Sequence, residues 1–210
     1  MRTRAMPRLL KWSAPLRCSV RRCARDDRGV AAIEFAMIVP LMIVMIFGMI
    51  DVTMGVGVDR KVTMMAQAMS DLASRAPSTS DAEMTNFFNI GRAMIAPYPT
   101  TDLTSRISQI YLDPVANGTG KVQWSKGNAP LTAGSSITVP AGLISKDSNN
   151  AVIANQYLIL AEVSYLYKPI IGYVVAKTGI TLTEATYTRP RQSVCVMFSP
   201  ATACTTKTSP

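Results

Sequence analysis

The chain has 210 residues, a formal net charge of +9 and no histidine. Histidine is the usual general base near neutral pH and the commonest metal ligand, so its absence excludes catalytic triads and zinc sites that depend on histidine. The length suits one domain, or a membrane anchor followed by a modest domain.

The positive charge is concentrated at the N-terminus. Residues 1–29 hold nine of the 22 Lys and Arg residues and two of the 13 acids, a local balance of +7, and the rest of the chain carries only +2. A basic cluster beside an apolar run is typical of membrane orientation, because Lys and Arg stay on the cytoplasmic side. Nucleic-acid binding is the alternative, but it calls for a basic face with interleaved aromatic side chains. We therefore expect a membrane partner and no nucleic acid.

Residues 30–50 form an apolar run in which Glu34 is the only charged residue. As a helix rising 1.5 Å per residue, this run measures roughly 30 Å, the thickness of a hydrocarbon core. Its Ile, Leu, Val and Phe residues contribute roughly −3 to −6 kcal/mol to insertion, against a cost of about 3 kcal/mol for one carboxylate. The sequence predicts one transmembrane helix over 30–51, kinked at Pro40, with everything after Asp51 outside the cytoplasm.

A removable secretory signal is the alternative interpretation of this run. Such signals have apolar cores of about 7 to 15 residues followed by an A-x-A-like cleavage site. The run here is longer, and the stretch "GMIDVTMGVGVD" that follows contains no convincing site of that kind. Retention in the membrane is therefore favoured.

Glu34 has two interpretations on the residues alone. It can extend to the cytoplasmic interface and have no further role. Alternatively, a cut between Gly29 and Val30 creates a new α-amine about one helical turn from Glu34, in the same chain or in a neighbouring parallel one. Opposite charges in a low-dielectric setting would stay ionised and favour side-by-side packing of such helices.

The stretch "RGVAAIEFAMIVPLMIVMIFGMIDV" resembles the TadE-like family of pseudopilins, which are minor components of the tight-adherence (Flp) type IV pilus. The similarity rests on Gly29, the acid Glu34 at the fifth place after it, the following Phe35, Pro40 and the closing "GMID". A weaker similarity returns at "GITLTEATYTRPRQS", which looks like the closing strand and Arg-Pro-Arg of these proteins.

This resemblance implies that a membrane prepilin peptidase cuts after Gly29 and releases residues 1–29 as a basic leader. It also implies that Glu34 and Phe35 serve processing and assembly. The large segment after the helix favours a minor pseudopilin over the short major pilin. The implied partners are membrane lipid, the peptidase, other pilins and pseudopilins, and the inner-membrane assembly platform. The implied location is the bacterial inner membrane, or a surface pilus with a role in adhesion.

Beyond the membrane, an amphipathic pattern predicts a helical stem over 52–76 that ends before Pro77. Its apolar positions recur at spacings of 4, 3, 4 and 3: Val58, Val62, Met65, Met69 and Leu72. This face can pack on the chain's own sheet, which we favour, or on a coiled-coil partner. Ser80 and Glu83 have the spacing of a capping box and predict a second helix that ends before Pro97.

The remaining sequence predicts strands at 104–112, 121–125, 156–168 and 180–188, with a turn at Asn117 and Gly118 between the first two. The expected fold class is therefore α+β, with a mainly antiparallel sheet in a domain over 77–210. The third strand alternates clearly and carries three tyrosines, for which packing and a partner-binding surface are the two interpretations: Tyr157, Tyr165 and Tyr167.

The four cysteines divide into two pairs. Cys18 and Cys23 precede the membrane, where thiols stay reduced, and they lack the second ligand pair of a zinc site. Cys195 and Cys204 lie on the oxidising side, where a disulfide would close a short loop worth about 2 to 3 kcal/mol. A pair of free thiols is the alternative.

Nothing in the sequence predicts catalysis or a cofactor. The glycine-rich stretches "GVGVDR" and "NGTGKV" lack the residues that a dinucleotide loop or a P-loop needs. Two rivals to the pseudopilin interpretation remain. One is an uncleaved membrane anchor that holds a periplasmic binding or scaffold domain; the other, compatible with a pseudopilin, is an adhesin at the pilus tip.

Overall fold

The computed structural model describes residues 28–116, 118–169, 179–199 and 204. The chain divides into two compact units, residues 1–49 and 50–210. The predictions for the basic leader up to residue 27, with its two cysteines, and for Asn117 lie outside the described residues.

The first unit contains the start of helix α1, which runs from Arg28 to Ser74 and includes Pro40. The part Gly29–Ser74 is long and apolar enough to cross a membrane by length and composition. In the first unit nearly all of its side chains are exposed, whichever face of the helix they occupy. A helix that is apolar all round is covered by lipid or by other helices.

In its described residues the second unit contains the end of α1, a second α-helix and seven strands, so the predicted α+β class is confirmed. The elements after α1 are β1 (Ser78–Thr79), α2 (Asp81–Ile95), β2 (Leu103–Asp113), β3 (Thr119–Gly127), β4 (Ser136–Ile137), a short 3-10 helix (Ala141–Leu143), β5 (Gln156–Tyr167), β6 (Ile180–Thr188) and β7 (Met197–Phe198).

The sheet has the order β4-β3-β2-β5-β6, and every neighbouring pair in it is antiparallel. The two-residue strands β1 and β7 form a separate parallel pair, with Ser78 opposite Met197. Sequence patterns do not predict strands of two residues, because no alternation develops over so short a stretch.

The core of this unit lies between α1 and the inner face of the sheet. The predicted apolar face of α1 is buried there, including Val58, Val62, Met65 and Met69. Its contacts are residues of β2, β3 and β5 together with the C-terminal segment: Leu103, Ile107, Trp124, Ile159, Val163, Tyr165, Tyr167, Val196 and Phe198. The amphipathic face therefore packs on the chain's own sheet. All three tyrosines of β5 are buried, which supports the packing interpretation.

Helix α2 begins with the predicted capping box. The Ser80 hydroxyl accepts from the Glu83 N–H, and the Glu83 carboxylate accepts from the Ser80 N–H at 2.9 Å. The helix lies close to α1 at Gly91, where an added Cβ would stand 2.7 Å from Met65 Cε and 3.0 Å from Met69 Sδ. Gly91 thus sets how closely the two helices approach.

Candidate functional site

The four residues that the sequence assigns to processing and assembly lie at the start of α1. Val30 is 54% exposed, Phe35 is 69% exposed, and Glu34 is exposed as well. A side chain added at Gly29 would meet nothing within 4 Å. The side chains of Val30, Glu34 and Phe35 are therefore not buried by the chain's own packing in the described residues.

Helical spacing brings two of these residues together. Val30 and Glu34 are four residues apart, and such residues are neighbours on one helix face. The other two point elsewhere, since Gly29 and Phe35 are one residue away from them and adjacent helical residues do not face each other. The arrangement therefore pairs one carboxylate with the backbone position at which the proposed cut would create an amine.

Within the second unit, the end of β5 is tied to α1 through Tyr167. Its hydroxyl donates to the Asp51 carbonyl oxygen at 3.1 Å, and a Cβ added at Gly55 would stand 3.3 Å from the tyrosine ring. Burial raises the pKa of Tyr167, and the nearby Asp51 carboxylate raises it further, so the phenol stays a neutral donor. Next to it, Lys168 Nζ pairs with Asp102 Oδ2 at 2.7 Å.

The Arg-Pro-Arg stretch after β6 has structural contacts. Arg191 pairs with Asp71 at 2.7 Å, and its backbone N–H donates to the Ser74 carbonyl at 2.9 Å, which satisfies a terminal carbonyl of α1. Arg189 donates to the Leu143 carbonyl at 2.9 Å. Sequence similarity singled out this stretch but did not assign these roles, because both partners are distant along the chain.

Cys195 and Cys204 are joined in a disulfide in the structure, with their Cα atoms 6.0 Å apart. The residue after Cys195 is held by two buried side chains of the sheet. The Val196 N–H donates to Gln109 Oε1 at 2.7 Å, and Trp124 Nε1 donates to the Val196 carbonyl at 2.9 Å. The sequence analysis did not identify Gln109 or Trp124, since a buried amide and indole in strands carry no pattern of their own.

The described residues contain no group of three or more His, Cys, Asp or Glu side chains able to hold a metal ion. A cavity of about 230 Å³ is lined in part by Arg106 and Glu162, which are direct cross-strand partners in β2 and β5. The Arg106 guanidinium donates to the Glu162 carboxylate at 2.5 and 2.7 Å, and this hydrogen bonding raises the pKa of Arg106. The position of this ion pair therefore follows from the register of β2 and β5.

No curated protein and no solved structure matches the chain. A family model does match residues 29–70, and its description is "TadE-like protein". The matched range begins at Gly29, includes Glu34, and continues through the buried face of α1 to Ser70. It agrees with the resemblance drawn from the sequence, so this chain carries a TadE-like segment over residues 29–70.

Proposed function

We propose that the protein is a minor pseudopilin that takes part in assembling or priming a tight-adherence pilus and is processed after Gly29 by a prepilin peptidase. One observation carries this proposal. The start of α1 is apolar and exposed on all sides, with a single carboxylate five residues after Gly29, and it lies inside the TadE-like match. The role is one of packing and has no catalytic step.

Processing after Gly29 would explain why a charged residue stands at position 34 in an apolar helix. A cut after Gly29 leaves the Val30 ammonium at the N-terminus of the helix, where the helix dipole is already positive and disfavours a cation. A carboxylate one turn away offsets both charges, and it can do so within one chain or between two parallel helices. An uncompensated ammonium in the membrane would oppose helix packing, and Glu34 removes that penalty.

The second unit is an α+β domain that includes the end of α1. The part of α1 beyond the apolar run is buried in the core of the α+β domain, and Arg191 fastens its C-terminal end. Within this unit, the end of α1 is therefore part of the core of the α+β domain. We propose that the domain caps, primes or decorates the pilus, with the chain held in the bacterial inner membrane before assembly.

The alternative is an uncleaved single-span anchor that presents the same domain as a periplasmic scaffold of a pilus or secretion machine. The exposed apolar helix is equally suited to it. The N-terminus of the membrane-extracted protein distinguishes the two, because only processing makes Val30 the first residue.

A substitution at Gly29 tests processing directly. Gly29→Val should leave the intact chain in the membrane, because a branched side chain replaces the small residue before the cut. Gly48→Val is the matched control, since an added Cβ meets nothing within 4 Å at either glycine. N-terminal sequencing and intact mass are the measurements. Wild-type protein that begins at Met1 in working pili would contradict the proposal.

Replacing the carboxylate separates processing from assembly. We expect Glu34→Gln to reduce incorporation into pili about tenfold, the equivalent of about 1.4 kcal/mol for a lost charge pair, while the amount in the membrane stays unchanged. Glu184→Gln, a carboxylate on β6, is the control and should assemble normally. The measurement is the ratio of the protein in sheared pili to that in membranes, and equal ratios for the two variants would remove the charge role.

A further inference from the structure

The two cysteines of the second unit lie in a small apolar cluster that is separate from the main core. Cys195 is 1% exposed and packs with a tyrosine pair, Tyr111 and Tyr157, which are cross-strand partners with ring centroids 5.2 Å apart. Cys204 packs against the same cluster but is partly exposed. The two sulfur atoms therefore meet at one place with unequal access to solvent.

The position of Cys195 is fixed by contacts that do not involve the disulfide. Its carbonyl accepts from the Ser193 hydroxyl at 2.6 Å. The next residue, Val196, is fully buried, and its N–H and carbonyl are hydrogen-bonded to Gln109 and Trp124. β7 follows at once and pairs with β1. With the disulfide reduced, the thiol of Cys195 would therefore stay against the tyrosine pair.

The difference in access determines which thiol reacts first. A thiol attacks a disulfide as its thiolate, so the reaction needs both ionisation and contact with the oxidant. Burial among apolar side chains opposes both at Cys195. The partly exposed Cys204 can meet both requirements. Oxidation of the reduced chain should therefore begin at Cys204.

We propose that Cys204 is the entry thiol and Cys195 the resolving thiol in an oxidative closure that completes the domain. The Cys204 thiolate attacks one sulfur of a disulfide-bearing oxidant, which forms a mixed disulfide and releases the oxidant's other sulfur as a thiolate. The Cys195 thiolate then attacks Cys204 Sγ, closes the Cys195–Cys204 bond and releases the second thiolate. The chain loses two electrons and two protons, and the oxidant becomes two thiols.

The closure has a structural result and a compartment. It fixes Cys204 over the tyrosine pair, which the buried face of α1 does not contact as part of its cluster. Disulfides persist only in an oxidising environment, so this part of the domain would be completed after it leaves the cytoplasm. The proposal depends neither on cleavage after Gly29 nor on a place in a pilus.

Reaction with oxidised glutathione tests the order of the two thiols. Two variants of the full chain are compared in detergent near neutral pH, Cys195→Ser and Cys204→Ser, each also carrying Cys18→Ser and Cys23→Ser. We expect the variant that keeps Cys204 to gain glutathione about tenfold faster than the one that keeps Cys195, because its thiol is exposed. Intact mass follows the reaction.

The same two variants in denaturant are the control. Without a fold, the two rates should agree within about twofold, since both thiols are then equally accessible. Circular dichroism checks that each variant is folded in detergent. A chain that keeps both Cys195 and Cys204 provides a second measurement that does not depend on the variants. When its oxidation is stopped early with acid, peptide mass analysis should find glutathione on Cys204.

Three results would overturn the proposal. The first is equal or faster reaction at Cys195 in the folded variants. The second is glutathione mainly on Cys195 in the acid-stopped reaction. The third is a folded chain in which Cys195 and Cys204 stay reduced under excess oxidised glutathione. None of these results would bear on processing after Gly29, which is measured separately from the N-terminus.

Discussion

The two halves of α1 share a backbone conformation but have opposite surroundings. In the anchor half, residues 30–49, apolar side chains are exposed on every face of the helix. In the core half, residues 58–73, one face is buried against the sheet and α2, and the other remains exposed. Helix formation alone therefore says nothing about what covers a helix. The distribution of apolar residues around the helix does indicate what covers it. Apolar residues on one face pack against one neighbouring element, whereas a helix that is apolar on every face needs an apolar solvent.

The largest effect is expected from a charge on the buried stripe of the core half. Val62 is 1% exposed and Val56 is 49% exposed on the same helix. Val62→Asp should destabilise the domain by more than about 4 kcal/mol, because it buries an unpaired carboxylate. Val56→Asp should leave the melting temperature within a few degrees. Thermal unfolding followed by circular dichroism measures both, and equal destabilisation by the two variants would break the comparison.

A charge in the anchor half should act on membrane insertion and leave the fold of the domain intact. Val44→Asp places a second carboxylate near the middle of the apolar run and should cost about 3 kcal/mol of insertion free energy. The measurement is the fraction of protein that stays in the membrane after alkaline extraction, with domain unfolding measured in parallel. Loss of domain stability without loss of retention would mean that the anchor half is a core element.

A smaller effect is expected at two glycines, Gly91 of α2, which faces the core half, and Gly57, which directly precedes it. Gly91→Leu should destabilise the domain by about 1 to 3 kcal/mol through overpacking, since an added side chain meets Met65 and Met69. Gly57→Leu meets nothing within 4 Å and should stabilise the helix by up to about 1 kcal/mol. Chemical denaturation gives the two values. Opposite signs support the close approach of the two helices, and equal signs contradict it.

The elements of this fold were largely predictable from local pattern. The strand predicted at 104–112 runs over Leu103–Asp113, and the one predicted at 180–188 has those bounds. The capping box placed the start of α2 correctly because both of its partners are within three residues. Periodicity also identified the buried face of α1, since the repeat of apolar residues is itself the packing surface.

The contacts that close the domain were not predictable in the same way. The pair of β1 with β7 joins residues more than a hundred positions apart, and Arg191 reaches Asp71 over a similar separation. No local pattern specifies such partners. Each partner is an ordinary polar residue or part of a short extended segment, and the two come close only after the sheet has formed. The same holds for Gln109 and Trp124, which hold the backbone of Val196.

For the candidate site, the sequence by itself determined the residues: the apolar run, its lone acid Glu34 and the glycine that precedes it are consecutive, so their relation depends only on helical spacing. The tertiary structure decided which apolar surfaces remain exposed and can contact a partner. It covers the stripe of the core half with the chain's own sheet, and it leaves Val52 of α1 and Ile180 of β6 exposed. The physical reason is that burial is a property of packed surfaces, and surfaces from α1 and β6 meet only after the sheet has formed.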